Sequence, residues 1–172
     1  MDFTKCIGVT EGFPKAGISF KDISPLLADK EAFHEAVREV AEQVEKWGAD
    51  LVVGPESRGF VVGAPVAYEA GIGFVMARKK GKLPGKVVSK TYTLEYNTAT
   101  IEMPEFAIKK GQKVVIIDDL LATGGTLQAV KELVEDMGGV VVGAVTLIEL
   151  TDLNGKKALG KTPYFSLIKF PH

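Results

Sequence analysis

The chain has 172 residues, 46% of them apolar and 25% charged. That size and balance suit one compact domain and exclude the polar, highly charged composition of disordered chains. The formal net charge of −1 supplies no global field for nucleic acid or an anionic membrane, so affinity for phosphate has to come from local groups.

No apolar run approaches the length of a membrane span and no charged-then-apolar signal opens the chain, which predicts a cytosolic protein with no membrane partner. The single Cys6 allows no internal disulfide. Residues 12–25, rich in Gly, Pro and Ser, read as an ordered loop region ahead of the first helix. Over 29–48, Phe33, Val37, Val40, Val44 and Trp47 recur at helical spacing, with Asp29 placed to cap the start and Gly48 the end. Leu51, Val52 and Val53 form a short strand, followed by a helix over 60–70 that Gly71 stops.

Residues 74–77 are again strand-like. The pattern then changes: 92–96 and 99–103 alternate on either side of Asn97 and Thr98, predicting an antiparallel hairpin or flexible flap inserted into the α/β order. Residues 113–118 carry a continuous β-branched run, a helix follows from about 126 to 137, and Gly138 and Gly139 end it. Strands at 140–149 and 164–170 complete the series. Short apolar strands alternating with helices predict an α/β fold, a central parallel sheet flanked by helices, with ligands beyond the carboxyl ends of the strands.

The most informative stretch runs from Val114 through Asp118, Asp119, Leu120, Leu121, Ala122, Thr123, Gly124 and Gly125 to Thr126. A buried strand delivers two adjacent carboxylates to its end, and a Gly-containing loop opens directly into a helix. Small residues let successive backbone N–H groups approach an anion, and the helix N-terminus adds favourable potential. The spacing matches neither Gly-x-x-x-x-Gly-Lys-Ser/Thr nor Gly-x-Gly-x-x-Gly. Carboxylates beside a phosphate cradle suit a sugar phosphate, hydroxyls to the acids and phosphate to the amides. Any one of these residues alone could serve only as a strand-to-helix turn.

This stretch resembles the phosphoribosyl pyrophosphate (PRPP) motif of type I phosphoribosyltransferases, an apolar run, Asp-Asp, and Thr-Gly-Gly-Thr. The resemblance implies that Asp118 and Asp119 hold the ribose hydroxyls while Ala122, Thr123, Gly124, Gly125 and Thr126 bind the 5-phosphate. Glu56, Ser57, Arg58 and Gly59 lie at another strand end and open a helix, and the family places pyrophosphate at such a loop. The cationic segment with Arg78, Lys79, Lys80, Lys82 and Lys86 would by itself read as a solvated loop, and no interleaved aromatics favour nucleic acid. It resembles the Arg-Lys-x-Gly-Lys-Leu-Pro-Gly segment of the adenine-specific branch, which implies that Arg78, Lys79 and Lys82 contact pyrophosphate in a homodimer.

The resemblance spans nearly all the chain, from residues 13–27 to Glu149, Leu150 and Thr151. It implies one phosphoribosyltransferase domain over 1–172, with a hood at 1–28 and a flexible loop and hairpin at 79–103. Adenine would lie between Phe20, Leu120 and Leu150, read by backbone groups near Ser19 and Lys21. Core packing is the alternative for each of these side chains. Ala16, Lys21 and Asn97 depart from the commoner Pro, Arg and Gly. Glu95 is the implied proton acceptor or base orienter and Tyr96 the lid that excludes water, with Arg58 also in the catalytic set. A solvent-facing hairpin position is the alternative for Glu95.

Mg²⁺ is the implied cofactor, held mostly by substrate and water, with no metal-ligating cluster expected from the protein. The implied reaction is purine salvage, adenine and PRPP giving AMP and pyrophosphate. Hypoxanthine, guanine or xanthine as the base is the alternative. A PRPP-sensing regulator would need a nucleic-acid-binding module that no segment supplies.

Overall fold

The computed structural model describes residues 1–94 and 96–172. Strands β1 (Gly8–Glu11) and β2 (Ser19–Asp22) form a small antiparallel sheet of their own. Helices α1 (Ser24–Ala28) and α2 (Lys30–Lys46) follow, then β3 (Leu51–Pro55), α3 (Arg58–Ala70), β4 (Gly73–Lys79), β5 (Val87–Thr93) and β6 (Thr98–Pro104). The series ends with β7 (Lys113–Leu121), α4 (Gly125–Asp136), β8 (Val140–Leu150) and β9 (Tyr164–Phe170).

The main sheet has seven strands in the order β5-β6-β4-β3-β7-β8-β9. Strands β4, β3, β7, β8 and β9 run parallel. The continuous apolar runs of β3 and β7 are explained by burial on both faces. Val52, Val115 and Ile117 pack with Val40 and Val44 of α2 and Val62 and Val66 of α3. Val53, Val114 and Ile116 pack with Leu127, Val130 and Leu133 of α4. Side chains two residues apart thus share a layer, as the pleat of a strand requires.

Helix α2 starts where expected, because Asp29 Oδ1 accepts hydrogen bonds from the N–H groups of Glu31 and Ala32 at 3.0 and 2.9 Å. The hairpin is also present, with longer strands than the alternation indicates. Its last pair is Thr93 with Thr98, and just beyond it Leu94 N–H donates to Asn97 O at 2.7 Å. Strand β6 also pairs with β4 at Arg78↔Glu102 and Lys79↔Ile101, which joins the hairpin to the main sheet.

Residues 12–25 differ from the expected loop: they hold β2 and the start of α1. Ser19, Lys21 and Asp22 give β2 no apolar alternation, and five-residue α1 shows no helical period beyond the buried Leu26. Among the described residues, no helix is long and apolar enough to cross a membrane.

Candidate active site

Strand β7 ends in the paired carboxylates. Asp118 keeps a partly exposed face, while Asp119 is only 4% exposed. Asp119 N–H donates to Asp118 Oδ1 at 2.8 Å. Burial, and next the Asp119 charge, push the Asp118 carboxyl well above the usual carboxylate range. Asp119 Oδ2 lies 2.9 Å from Arg58 Nε, close enough for an ion pair. The direction of that contact gives no hydrogen bond, however, and among the described residues Oδ2 is a buried acceptor without a donor. Such an atom is costly unless a ligand supplies the missing donor.

Beyond the carboxylates the chain curls into a pocket of about 110 Å³ lined by Asp118, Leu120 and the loop from Leu121 through Leu127. Gly124, at φ 88°, is the N-cap of α4 and has no side chain to cap the helix. The first N–H groups of a twelve-residue helix therefore face the loop without a side-chain acceptor. Of the residues expected to hold phosphate, Ala122, Thr123, Gly124, Gly125 and Thr126 all line this one pocket.

The parallel neighbour β3 feeds a second uncapped N-terminus, since Ser57 makes no side-chain cap to α3. The first turn of α3 lies close against the end of β7: a Cβ on Gly59 would lie 3.1 Å from Asp118 Oδ1 and 3.2 Å from Ile117 O. Arg58 spans both the acids and the hood, its guanidinium sitting 5.4 Å from the centre of the Phe20 ring. Phe20 in turn meets Phe13 edge to face at 5.2 Å.

In the hood, the side chains of Ser19 and Lys21 are occupied with each other. Lys21 Nζ donates to Ser19 Oγ at 2.7 Å, and Ser19 Oγ donates to Glu11 Oε1 at 2.7 Å. Lys21 is 7% exposed and its ammonium also lies 5.4 Å from the Phe170 ring centre. Leu120 is half-buried and Leu150 is 7% exposed, both within the cluster that contains Phe170. Leu150 thus also serves the core.

The basic segment is organised by Glu56. Its Oε1 accepts from Arg78 Nε at 3.3 Å and from Lys79 N–H at 2.7 Å. Glu56 therefore neutralises and orients part of the cationic segment, and its own carboxylate is ill suited to an anion. Lys82 is exposed. From the hairpin, Leu94, Tyr96 and Asn97 share an open cavity of about 600 Å³ with Thr123 and Gly125. Tyr96 is 91% exposed. Glu95 lies outside the described residues.

Residues 26–170 match the model of the phosphoribosyl transferase domain family. The chain is 54% identical to adenine phosphoribosyltransferase of Clostridium acetobutylicum, with 99% of each chain covered. The chain belongs to the adenine phosphoribosyltransferase family. Its structure is similar to that of the family member from Thermoanaerobacter pseudethanolicus, at a TM-score of 0.95, 48% identity and 98% of each chain covered. It is also similar to the Saccharomyces cerevisiae enzyme complexed with a dideoxy-imino-altritol bisphosphate and adenine, at a TM-score of 0.92, 35% identity and 96% of each chain.

Two further groups stand at this site that the sequence motifs do not include. Leu127 lines the 110 Å³ pocket from the first turn of α4. Tyr92 reaches it from the hairpin, its hydroxyl 3.5 Å from Thr126 Oγ1. An aromatic residue in the Thr-rich strand β5 is the only signal for Tyr92.

Proposed function

We infer that this chain transfers the 5-phosphoribosyl group of PRPP to adenine, giving AMP and pyrophosphate, as a purine salvage enzyme. The observation that carries the reading is the phosphate pocket at the uncapped start of α4, set directly behind Asp118 and the unsatisfied Asp119 Oδ2. Amides of residues 122–126 bind the 5-phosphate, and Asp118 and Asp119 accept hydrogen bonds from the ribose hydroxyls. Pyrophosphate falls to the adjacent start of α3, with Ser57, Gly59 and Arg58, and to Arg78, Lys79 and Lys82. Glu56 takes part by holding Arg78 and Lys79 in place.

Adenine occupies the slot made by Phe20, Leu120 and Leu150. With the Ser19 and Lys21 side chains engaged elsewhere, the backbone of β2 reads the base edge. Transfer passes through positive charge on the ribose, which the Asp118 and Asp119 pair favours electrostatically. Glu95 takes or orients the adenine proton as N9 attacks, and Tyr96 covers the site against water.

The residues fit a magnesium ion brought in by substrate: the adjacent Asp118 and Asp119 carboxylates, with the unsatisfied Asp119 Oδ2, stand beside the pocket proposed for the 5-phosphate. When bound, Mg²⁺ supplies charge neutralisation for the departing pyrophosphate. Location in the cytoplasm and assembly as a homodimer belong to the same reading. A groove of about 600 Å³ between α2 and α3, lined by Phe33, Val37, Pro65 and Tyr68, offers an apolar face for self-association.

The test is kcat/KM for adenine, hypoxanthine, guanine and xanthine with PRPP, with Mg²⁺ and with a chelator. Adenine should lead by a factor on the order of 10⁴, since a slot that pairs with an exocyclic amine leaves buried groups unmatched against a 6-oxo base. Glu95→Gln should slow adenine transfer with PRPP binding kept. Equal use of adenine and hypoxanthine, or turnover without any divalent ion, would overturn the reading.

A further inference from the structure

Behind the phosphate loop lies a short 3-10 turn, Gly155–Leu159, that carries no residue of the proposed site. We propose that Gly155 is a positioning residue for the 5-phosphate loop, its missing side chain letting this turn brace residues 122–124 from behind. The inference rests on the assignment of that loop to the 5-phosphate of PRPP.

The two backbones meet at the limit of contact. A Cβ on Gly155 would lie 2.3 Å from Ala122 O and 2.9 Å from Leu121 Cγ. Reciprocally, a Cβ on Gly124 would lie 2.5 Å from Gly155 O and 2.8 Å from Ala158 Cβ. Two glycines on separate segments thus let main chain touch main chain. A cradle made of backbone amides has no side-chain rotamers with which to correct its geometry, so its shape depends on what stands behind it.

The brace is itself fixed. Lys131 Nζ, from α4, donates to Leu159 O at 3.2 Å, and Leu159 is 1% exposed. Lys156 Nζ pairs with the buried Glu149 Oε1 at 3.1 Å. Leu121, the residue before the loop, is likewise buried at 1%. A methyl group added at Gly155 therefore cannot be absorbed by the turn, and Ala122 with its neighbouring amides has to give way. Misplacement of binding groups by about 1 Å lowers turnover on the order of 100-fold.

The test compares Gly155→Ala with Gly139→Ala. At Gly139, which lies outside the site just before β8, a Cβ would meet Ile108 and Val134 side chains at 2.8 Å. The readouts are the melting temperature, KM for PRPP and for adenine, and calorimetric binding of ribose 5-phosphate. Gly155→Ala should lower PRPP kcat/KM and ribose 5-phosphate affinity by a factor on the order of 100 while the adenine KM holds. Gly139→Ala should lower only the melting temperature.

Wild-type PRPP kinetics and ribose 5-phosphate affinity in folded Gly155→Ala would refute the brace, as would an equal rise in PRPP KM for Gly139→Ala. If Gly155→Ala does not fold, Ala158→Val, at a half-buried position facing Gly124, decides the matter by the same readouts. A wild-type protein that neither binds ribose 5-phosphate nor uses PRPP refutes the assignment of the loop instead.

Discussion

Asp119→Asn separates a ligand-binding carboxylate from a structural one, because the two roles give opposite signs for stability. Asp119 is 4% exposed and its Oδ2 has no hydrogen-bond donor. A buried unsatisfied acceptor costs about 1–3 kcal/mol. The compensating ion pair is weak, since the Arg58 side chain is 44% exposed, and pairs of that kind contribute about 0–1 kcal/mol. Removing the charge also removes repulsion against Asp118. The free protein should thus be as stable as wild type or more stable by about 1 kcal/mol, a rise of roughly 2–4 °C in melting temperature for a chain of this size.

PRPP use should move the other way. Loss of a charged hydrogen bond to ribose costs about 1.5–3 kcal/mol, on the order of 10- to 150-fold in kcat/KM for PRPP. Calorimetric melting at pH 7 and steady-state kinetics with varied PRPP measure both. A melting temperature lowered by more than about 5 °C, with PRPP kinetics unchanged in the folded protein, would make Asp119 a structural residue.

Two further outcomes follow from the same geometry. The Asp118 carboxyl is raised in the folded protein, so its contribution to stability is complete below the unfolded value of about 4 and declines as pH rises through the raised one. The melting temperature of Asp118→Asn should accordingly gain on wild type as pH increases from 4 to 7, and a constant difference would contradict the shift. Lys82→Ala should raise KM for PRPP several-fold, by loss of an exposed charge, and leave the ranking of bases unchanged. Altered base preference with normal PRPP kinetics would place Lys82 elsewhere.

The buried strands and the glycine loop that opens into α4 were legible because their residues answer to local rules. Val114, Val115, Ile116 and Ile117 declare a strand covered on both faces. Gly124 and Gly125 declare a backbone that must bend into α4, Gly124 at φ 88°. The hood was less legible: Ser19, Lys21 and Asp22 have no apolar period, and β2 exists through its pairing with β1. Long-range partners were illegible altogether. Nothing near Glu56 indicates that it meets Arg78 and Lys79. Nor does anything near Arg58 indicate that it rests between Asp119 and Phe20, contacts set by the meeting of β7, α3 and β2.

The separateness of the β1–β2 sheet bears on how such an enzyme can change. That sheet shares no ladder with the seven-stranded sheet, and Lys21 against Phe170 and Arg58 against Phe20 link it to the rest through side chains. Substitutions in residues 8–22 consequently leave the hydrogen-bonded ladder of the main sheet intact. If base recognition lies there, as proposed, it can drift or be redesigned on a surface whose failures are local, while the proposed sugar-phosphate site stays anchored in the doubly covered sheet.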